Sequence, residues 1–293
     1  MRLLLFAQHI NNEDIPSIKL LIEEAQKANI KLFACGKVFS KLLETIQSQD
    51  VETVKEGSFS LRNEFDAVIS LGGDGTMLGA VMVVKDQDIP ILGINFGRLG
   101  FLAHVEKSYI STCIHKLVTS NFHIEERTML YLESEPQLFH GESFALNDFT
   151  LHKRDTSSMI TIHAYINGDY LNSYWADGLI VSTPTGSSGY SLSCGGPIVF
   201  PNSGNFVITP VAPHNLNVRP LVISDKSVIS FEIEGRSDSF LCTLDSRFQT
   251  ITSDHQLAVR KNDFNTKLIS FNDLSFLKSL QQKLSWGSDP RNK

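Results

Sequence analysis

The sequence predicts two architectures in one chain: an α/β domain built on a parallel sheet, followed by an all-β domain. Short apolar runs alternate with helix-periodic segments over residues 1–120, the pattern of strands joined by crossover helices. From Phe122 onward the texture changes to short runs rich in Ile, Val, Thr and Phe. Helical spacing returns near the end, at Leu274, Leu277, Leu280 and Leu284. A length of 293 residues suits about two domains. The expected division is residues 1–120 with 272–293 and residues 121–271.

Each element has its own signature. Leu3 to Ala7 reads as a buried strand. Ile18, Leu21, Ile22 and Ala25 then repeat at helical spacing, with Asp14 as cap and Pro16 in the first turn. Lys31 to Ala34, Ala67 to Leu71 and Ile91 to Asn95 are three further strands. Their near-continuous apolar character fits a Rossmann-like parallel sheet covered on both faces, which binds ligands at the carboxyl ends of its strands. A helix is expected over Ser108 to Thr119. In the second half, Asn167-Gly168 joins Ile160–Ile166 to Asp169–Trp175, a strong two-residue hairpin signal. Leu179–Ser182, Val228–Glu234, Ser239–Leu244, Gln256–Val259 and Leu268–Phe271 are the remaining strand-like runs.

Composition narrows the function classes. The formal net charge of -6 gives no bulk attraction for nucleic acid. Anionic substrates would need local Arg, Lys or backbone donors. No run reaches the ~20 apolar residues of a transmembrane helix, and the apolar start is too short for a signal peptide. The four cysteines, Cys35, Cys113, Cys194 and Cys242, form no C-x-x-C pair and read as reduced thiols in the cytoplasm.

Four segments carry unusual residue choices. In Ser70-Leu71-Gly72-Gly73-Asp74-Gly75-Thr76 a strand enters a glycine turn, and the apolar stretch Met77 to Val84 follows as a helix. Glycines let the backbone approach a ligand, and the N–H groups of a helix start favour phosphate. A carboxylate in that loop would repel phosphate alone, so Asp74 points to a metal ion or to a base acting on a hydroxyl beside the phosphate. In Asn95-Phe96-Gly97-Arg98-Leu99-Gly100-Phe101-Leu102, Arg98 reads either as a fixed cation for phosphate or as a solvated surface residue. Asn147-Asp148, set in an apolar stretch, reads either as a pair that bonds a ribose or base edge or as a bulge or capped turn. Finally, Asp177-Gly178 opens a strand that runs into Thr183-Pro184-Thr185-Gly186-Ser187-Ser188-Gly189-Tyr190-Ser191, a dense set of hydroxyls and amides. Its alternative is a flexible Ser/Gly loop, against which the ordered flanking sequence speaks.

Several familiar signatures are missing: the G-x-S-x-G nucleophile elbow, the Walker A loop, the protein-kinase set, a G-x-G-x-x-G after the first strand and an H-E-x-x-H pair.

Together, in this order, the four segments resemble an NAD kinase. Pro213-His214-Asn215-Leu216-Asn217-Val218-Arg219-Pro220-Leu221, Asp245 and Lys283-Leu284-Ser285-Trp286 extend the match from about Leu3 to Trp286. The resemblance implies transfer of the γ-phosphate of ATP, with some members using polyphosphate, to the 2′-hydroxyl of the adenosine ribose of NAD, giving NADP. It also implies a divalent metal, usually Mg²⁺, held mainly by the donor phosphates and without a protein metal site. A homodimer or homotetramer, a site between the domains and a C-terminal helix returning to the α/β domain are implied as well.

By residue, the resemblance makes Asp74 the base. Gly72, Gly73, Gly75 and Thr76 become the phosphate turn, with Arg98 beside it. Phe101 would lie against the adenine, and Asn147 and Asp148 would bond the adenosine. Asp177 would contact the nicotinamide side or a neighbouring subunit. Thr185, Ser188, Gly189 and Tyr190 would line the NAD pocket, and His214 would lie near the phosphate. The chain has Ser188-Gly189 where Thr-Ala is usual, Asp148 where Glu is commonest, and Ser246 where many members have Gly.

A lipid kinase of the diacylglycerol type shares the glycine loop, but the chain shows neither a basic membrane patch nor an apolar entrance. A non-catalytic NADP sensor would be expected to have lost Asp74. An ordinary NAD oxidoreductase would need the absent glycine fingerprint.

Overall fold

The structure, a computed structural model, describes residues 1–35, 39, 50–54, 61–97, 100–154, 158–274 and 276–286. The chain divides into two compact units, Met1–Glu126 with Thr266–Lys293, and Arg127–Asn265.

The first unit is a parallel sheet with helices. Its strands are β1 (Arg2–Phe6), β2 (Lys31–Cys35), β3 (Val51–Val54), β4 (Ala67–Leu71), β5 (Ile91–Asn95), β6 (Val105–Glu106), β7 (His123–Arg127) and, from the far end of the chain, β20 (Thr266–Ser270). They lie in the order β3-β2-β1-β4-β5-β20-β7, with β6 also on β5. The β1–β2, β1–β4, β2–β3, β4–β5, β5–β6 and β5–β20 pairs are parallel. The helices are α1 (Ile15–Lys27), α2 (Asp74–Val84), α3 (Ile110–Val118) and α4 (Phe276–Leu284), with a single helical turn at Leu61–Glu64. α1 buries the predicted stripe of Ile18, Leu21, Ile22 and Ala25, which joins Leu3, Leu5, Ile69 and Leu92 in one core.

Three local expectations change. Asp14 stands before α1 but makes no side-chain cap; its carboxylate instead accepts the Asn11 N–H at 3.0 Å and Lys107 at 2.6 Å. The strands β7 and β20, counted from sequence with the β-rich half, belong to the parallel sheet, where Leu268 pairs with Ile91. Pairing partners this distant in sequence leave no local trace. Strand β3 has no counterpart in the sequence reading because Val-Glu-Thr-Val is a half-polar edge.

The second unit contains β8 (Leu130–Glu135), β9 (Phe144–Ala145), β10 (Asp148–Lys153), β11 (Ile160–Ile166), β12 (Asp169–Ala176), β13 (Gly178–Ser182), β14 (Asn205–Val211), β15 (Leu221–Ser224), β16 (Ile229–Glu234), β17 (Phe240–Leu244), β18 (Arg247–Ile251) and β19 (Gln256–Lys261). One sheet runs β15-β14-β13-β10-β17-β18, the other β12-β11-β16-β19-β8-β9, and the neighbours pair antiparallel. The predicted hairpin forms as read: Asn167 and Gly168 take φ of 53° and 90°, and Ile166 pairs with Asp169. Phe149 of β10 stacks on Phe231 of β16 at 5.3 Å, tying the two inner faces together. Among the described residues, no helix is long and apolar enough to cross a membrane.

Candidate active site

In the first unit the glycine loop lies at the carboxyl end of β4, and α2 begins at Asp74 itself. The first amides of a helix have no acceptor inside it, so this turn presents donors to an anion. Thr76 is buried under the loop, against Gly72. Gly73 and Gly75 differ, because a methyl group added at either would meet nothing within 4 Å. Packing within the described protein therefore does not demand glycine there, whereas close approach of a ligand would.

Asp74 is held firmly. Its carboxylate accepts the N–H groups of Phe101 at 2.8 Å, Leu102 at 3.0 Å and Ala103 at 3.0 Å. A carboxylate has about four acceptor positions, so one is left over. Gly100 is required by this clamp, because a Cβ there would lie 1.9 Å from Asp74 Oδ1. The Phe101 ring is covered by α4: Phe276 lies 6.4 Å away and the Lys283 ammonium stands 4.2 Å over the face. The same ammonium is 3.9 Å from Asp74 Oδ2.

Arg98 falls outside the described residues. Beside it, Asn95 is buried at the end of β5, donating to Ala103 O at 2.9 Å and accepting Gly97 N–H at 2.7 Å. A cavity of about 370 Å³ opens there, lined by Asn95, Phe96, Gly97, Glu106, Lys107 and Ser108.

In the second unit, two predicted segments meet at one end of β13. Thr183 N–H donates to Asn147 O at 2.9 Å, and Thr183 Oγ1 donates to Leu146 O at 2.6 Å. Gly186 passes so close that a Cβ would lie 2.0 Å from Asn147 O. Thr185 is buried, and its carbonyl accepts the Ser188 hydroxyl at 3.1 Å. Ser187 is locked to Pro184 O and Val199, so the Ser/Gly segment is an ordered turn. Gly189 introduces a single turn of helix, Tyr190–Ser193, whose Tyr190 is 42% exposed and available for stacking.

The pair Asn147-Asp148 proves to be a built loop. Asp245, with φ of 52°, accepts the N–H groups of Leu146 at 2.9 Å, Asn147 at 2.7 Å and Asp148 at 3.2 Å. Arg247 in turn donates to the carbonyls of Glu142 and Phe144. Burial, with the nearby Asp245 charge, pushes Asp148 up to about 7, opposed by the Thr150 hydroxyl. Burial also raises Asp245, against three backbone N–H groups and Arg247.

Asp177 precedes the other end of β13, where Lys153 pairs with it at 2.5 Å. Tyr190 feels both acids: burial and Cys194 raise its hydroxyl pKa first, and Asp148 and Asp177 add to the shift. Exposed His214 packs on Trp175 with ring centroids 4.3 Å apart, and its backbone N–H donates to Trp175 O at 2.9 Å.

Two family domains account for most of the chain. The ATP-NAD kinase N-terminal domain matches residues 11–122, and the ATP-NAD kinase C-terminal domain matches residues 146–271. The chain belongs to the NAD kinase family. The NAD kinase of Cytophaga hutchinsonii is 45% identical, covering 99% of this chain and all (100%) of that protein. The NAD kinase of Flavobacterium johnsoniae is 43% identical, with 100% of both chains covered. In fold the chain is similar to yeast NADH kinase complexed with NADH, with a TM-score of 0.85, 22% identity, and 99% of this chain and 89% of that one covered. The NAD kinase from Archaeoglobus fulgidus in complex with ATP gives a TM-score of 0.73 at 24% identity, covering 97% of this chain and 98% of that one.

For a member of the NAD kinase family, three groups at these clusters escaped the reading of the sequence: Gly100, Asp245 and Lys283. Each acts on a partner at least 26 residues away along the chain, Asp74 for Gly100 and Lys283 and the Leu146–Asp148 amides for Asp245. The matching of Asp245 and Lys283 to the family pattern was the available signal, and it names no partner.

Proposed function

We propose that this chain phosphorylates the 2′-hydroxyl of the adenosine ribose of NAD with the γ-phosphate of ATP, releasing NADP. Membership of the NAD kinase family, with relatives matched over their whole length, supports the reading. The observation that carries it at the site is Asp74, fixed by three amides in a glycine turn with open space at Gly73 and Gly75.

Phosphoryl transfer depends on positioning and charge stabilisation. The amides at the start of α2 would receive the donor phosphates. Asp74 has one acceptor position left for the 2′-hydroxyl, which it would align and deprotonate. Asn147 and Asp148 would bond the adenosine, with Thr185, Ser188, Gly189 and Tyr190 lining the NAD pocket. Asp177 would face the nicotinamide side. A divalent ion carried by the donor phosphates would supply further charge neutralisation there, beside the amides at the start of α2.

A homodimer or homotetramer built through the second unit belongs to the same reading and rests on the likeness to the family. None of the four cysteines is in a disulfide and three of them are buried, which suits a cytoplasmic enzyme.

The test is NADP formation from NAD with ATP or polyphosphate and Mg²⁺. Asp74→Asn should bind NAD as the wild type does and lose about 10²–10⁴ in turnover. A variant that keeps most of its kcat removes Asp74 from the role of base. A wild type that makes no NADP with any donor overturns the kinase reading.

A further inference from the structure

The glycine turn lacks a cation of its own. Residues 72–76 contain no Lys or Arg, and the charge they carry is the negative one of Asp74. A polyphosphate arriving there meets amides and a carboxylate. The Walker A loop solves the same problem with a lysine inside the loop, an option this sequence does not use.

Lys283 arrives at the loop from the other end of the chain. The helix that carries it is anchored: Leu280 is buried and Phe276 packs at 6.4 Å against Phe101. The turn before the helix is anchored too, because Asp273 accepts from Lys116 at 2.6 Å and from Tyr109.

The geometry of the ammonium is what separates Lys283 from a structural ion pair. The pairs that fasten this unit are short: Lys107–Asp14 at 2.6 Å, Lys116–Asp273 at 2.6 Å and Lys267–Asp88 at 2.7 Å. Lys283 stands 3.9 Å from Asp74 Oδ2, outside hydrogen-bond range, whereas the amides of residues 101–103 hold the Asp74 carboxylate at 2.8–3.0 Å. Its ammonium is parked over the Phe101 ring at 4.2 Å with its side chain 29% exposed. A lysine has three N–H donors, and neither Asp74 nor the ring consumes them as hydrogen bonds.

We propose that Lys283 is a phosphate-binding residue of this site: its ammonium, held beside Asp74 and the start of α2, bonds the polyphosphate of the donor. The identity of that donor rests on the kinase reading above, whereas the anion site itself does not. With the anion bound, the same charge offsets the repulsion between Asp74 and the donor phosphates.

The test uses the full chain and two probes. Sodium tripolyphosphate is titrated calorimetrically into wild type, Lys283→Gln and Lys283→Arg, and NADP formation is followed at varied ATP and varied NAD. Lys283→Gln should weaken tripolyphosphate binding and raise the KM for ATP by about tenfold to a hundredfold, the loss of one charged hydrogen bond. The KM for NAD should rise less than the KM for ATP, because, of the NAD contacts assigned above, Lys283 neighbours Phe101 and Asp74 and not the pocket of Asn147 to Tyr190. Lys283→Arg keeps the charge and should restore tripolyphosphate affinity to within about threefold. Unchanged tripolyphosphate affinity in Lys283→Gln overturns the proposal, as does failure of Lys283→Arg to restore it. If wild type makes no NADP yet tripolyphosphate binding still depends on Lys283, the kinase reading fails and the anion site stands.

Discussion

Asp148 is where the electrostatics of single residues become measurable. Burial and the Asp245 charge lift its pKa from 3.8 to about 7. A folded-state pKa above the unfolded one means the stability this group contributes is complete below about pH 4 and is lost as the pH rises toward 7. Asp148→Asn should remove that dependence, so its urea midpoint should gain on the wild type between pH 5 and pH 8, while its KM for NAD rises. A constant difference between the two midpoints across that range refutes the shift. Tyr190→Ala should raise the KM for NAD with a smaller effect on the KM for ATP, and an unchanged KM takes Tyr190 out of the pocket. At this scale the sequence was readable wherever chemistry is contiguous, as in Gly72 to Thr76 and Thr183 to Ser191. It marked Asp245 and Lys283 as matches to the family without assigning either a partner, because their roles exist only once folding brings distant atoms together.

Among the elements, the α2 entry makes the sharpest separation between folding and binding. Gly100→Ala would drive a methyl into Asp74, and overpacking of this kind costs about 1–3 kcal/mol. Its melting temperature and its turnover should fall together. Gly75→Ala meets open space inside a helix, where Ala is favoured over Gly by up to about 1 kcal/mol. It should melt no lower than wild type and still show a raised KM for ATP. Calorimetry and steady-state kinetics on the two variants check both expectations, and a Gly75→Ala enzyme with wild-type KM would show that no ligand comes close there. Strands with continuous apolar runs, such as β1, β4 and β5, could be read directly because parallel strands are buried on both faces. Strand β14 escaped because Pro210 interrupts its pattern although the strand lies inside a sheet. Strands β3 and β7 escaped because sheet edges tolerate polar residues.

For the molecule as a whole, the second unit is an insertion whose two ends leave from β7 and β20, neighbours in one sheet. It has its own core around Phe149, Phe206 and Phe240. Residues 127–265 expressed alone should therefore give a β-rich circular dichroism spectrum and a single cooperative melt, and a chain without a transition would refute that autonomy. The first unit has the opposite property, because β20 and α4 follow the second unit in the sequence. On the ribosome, the inserted unit is complete before β5 can meet β20, and Lys283 emerges after both. A nascent chain thus exposes an open flank on its parallel sheet until β20 has been made, and the cation beside Asp74 comes into place only after that. A nonsense mutation between the codons of Asn272 and Lys283 would yield chains with both cores largely built and Lys283 missing.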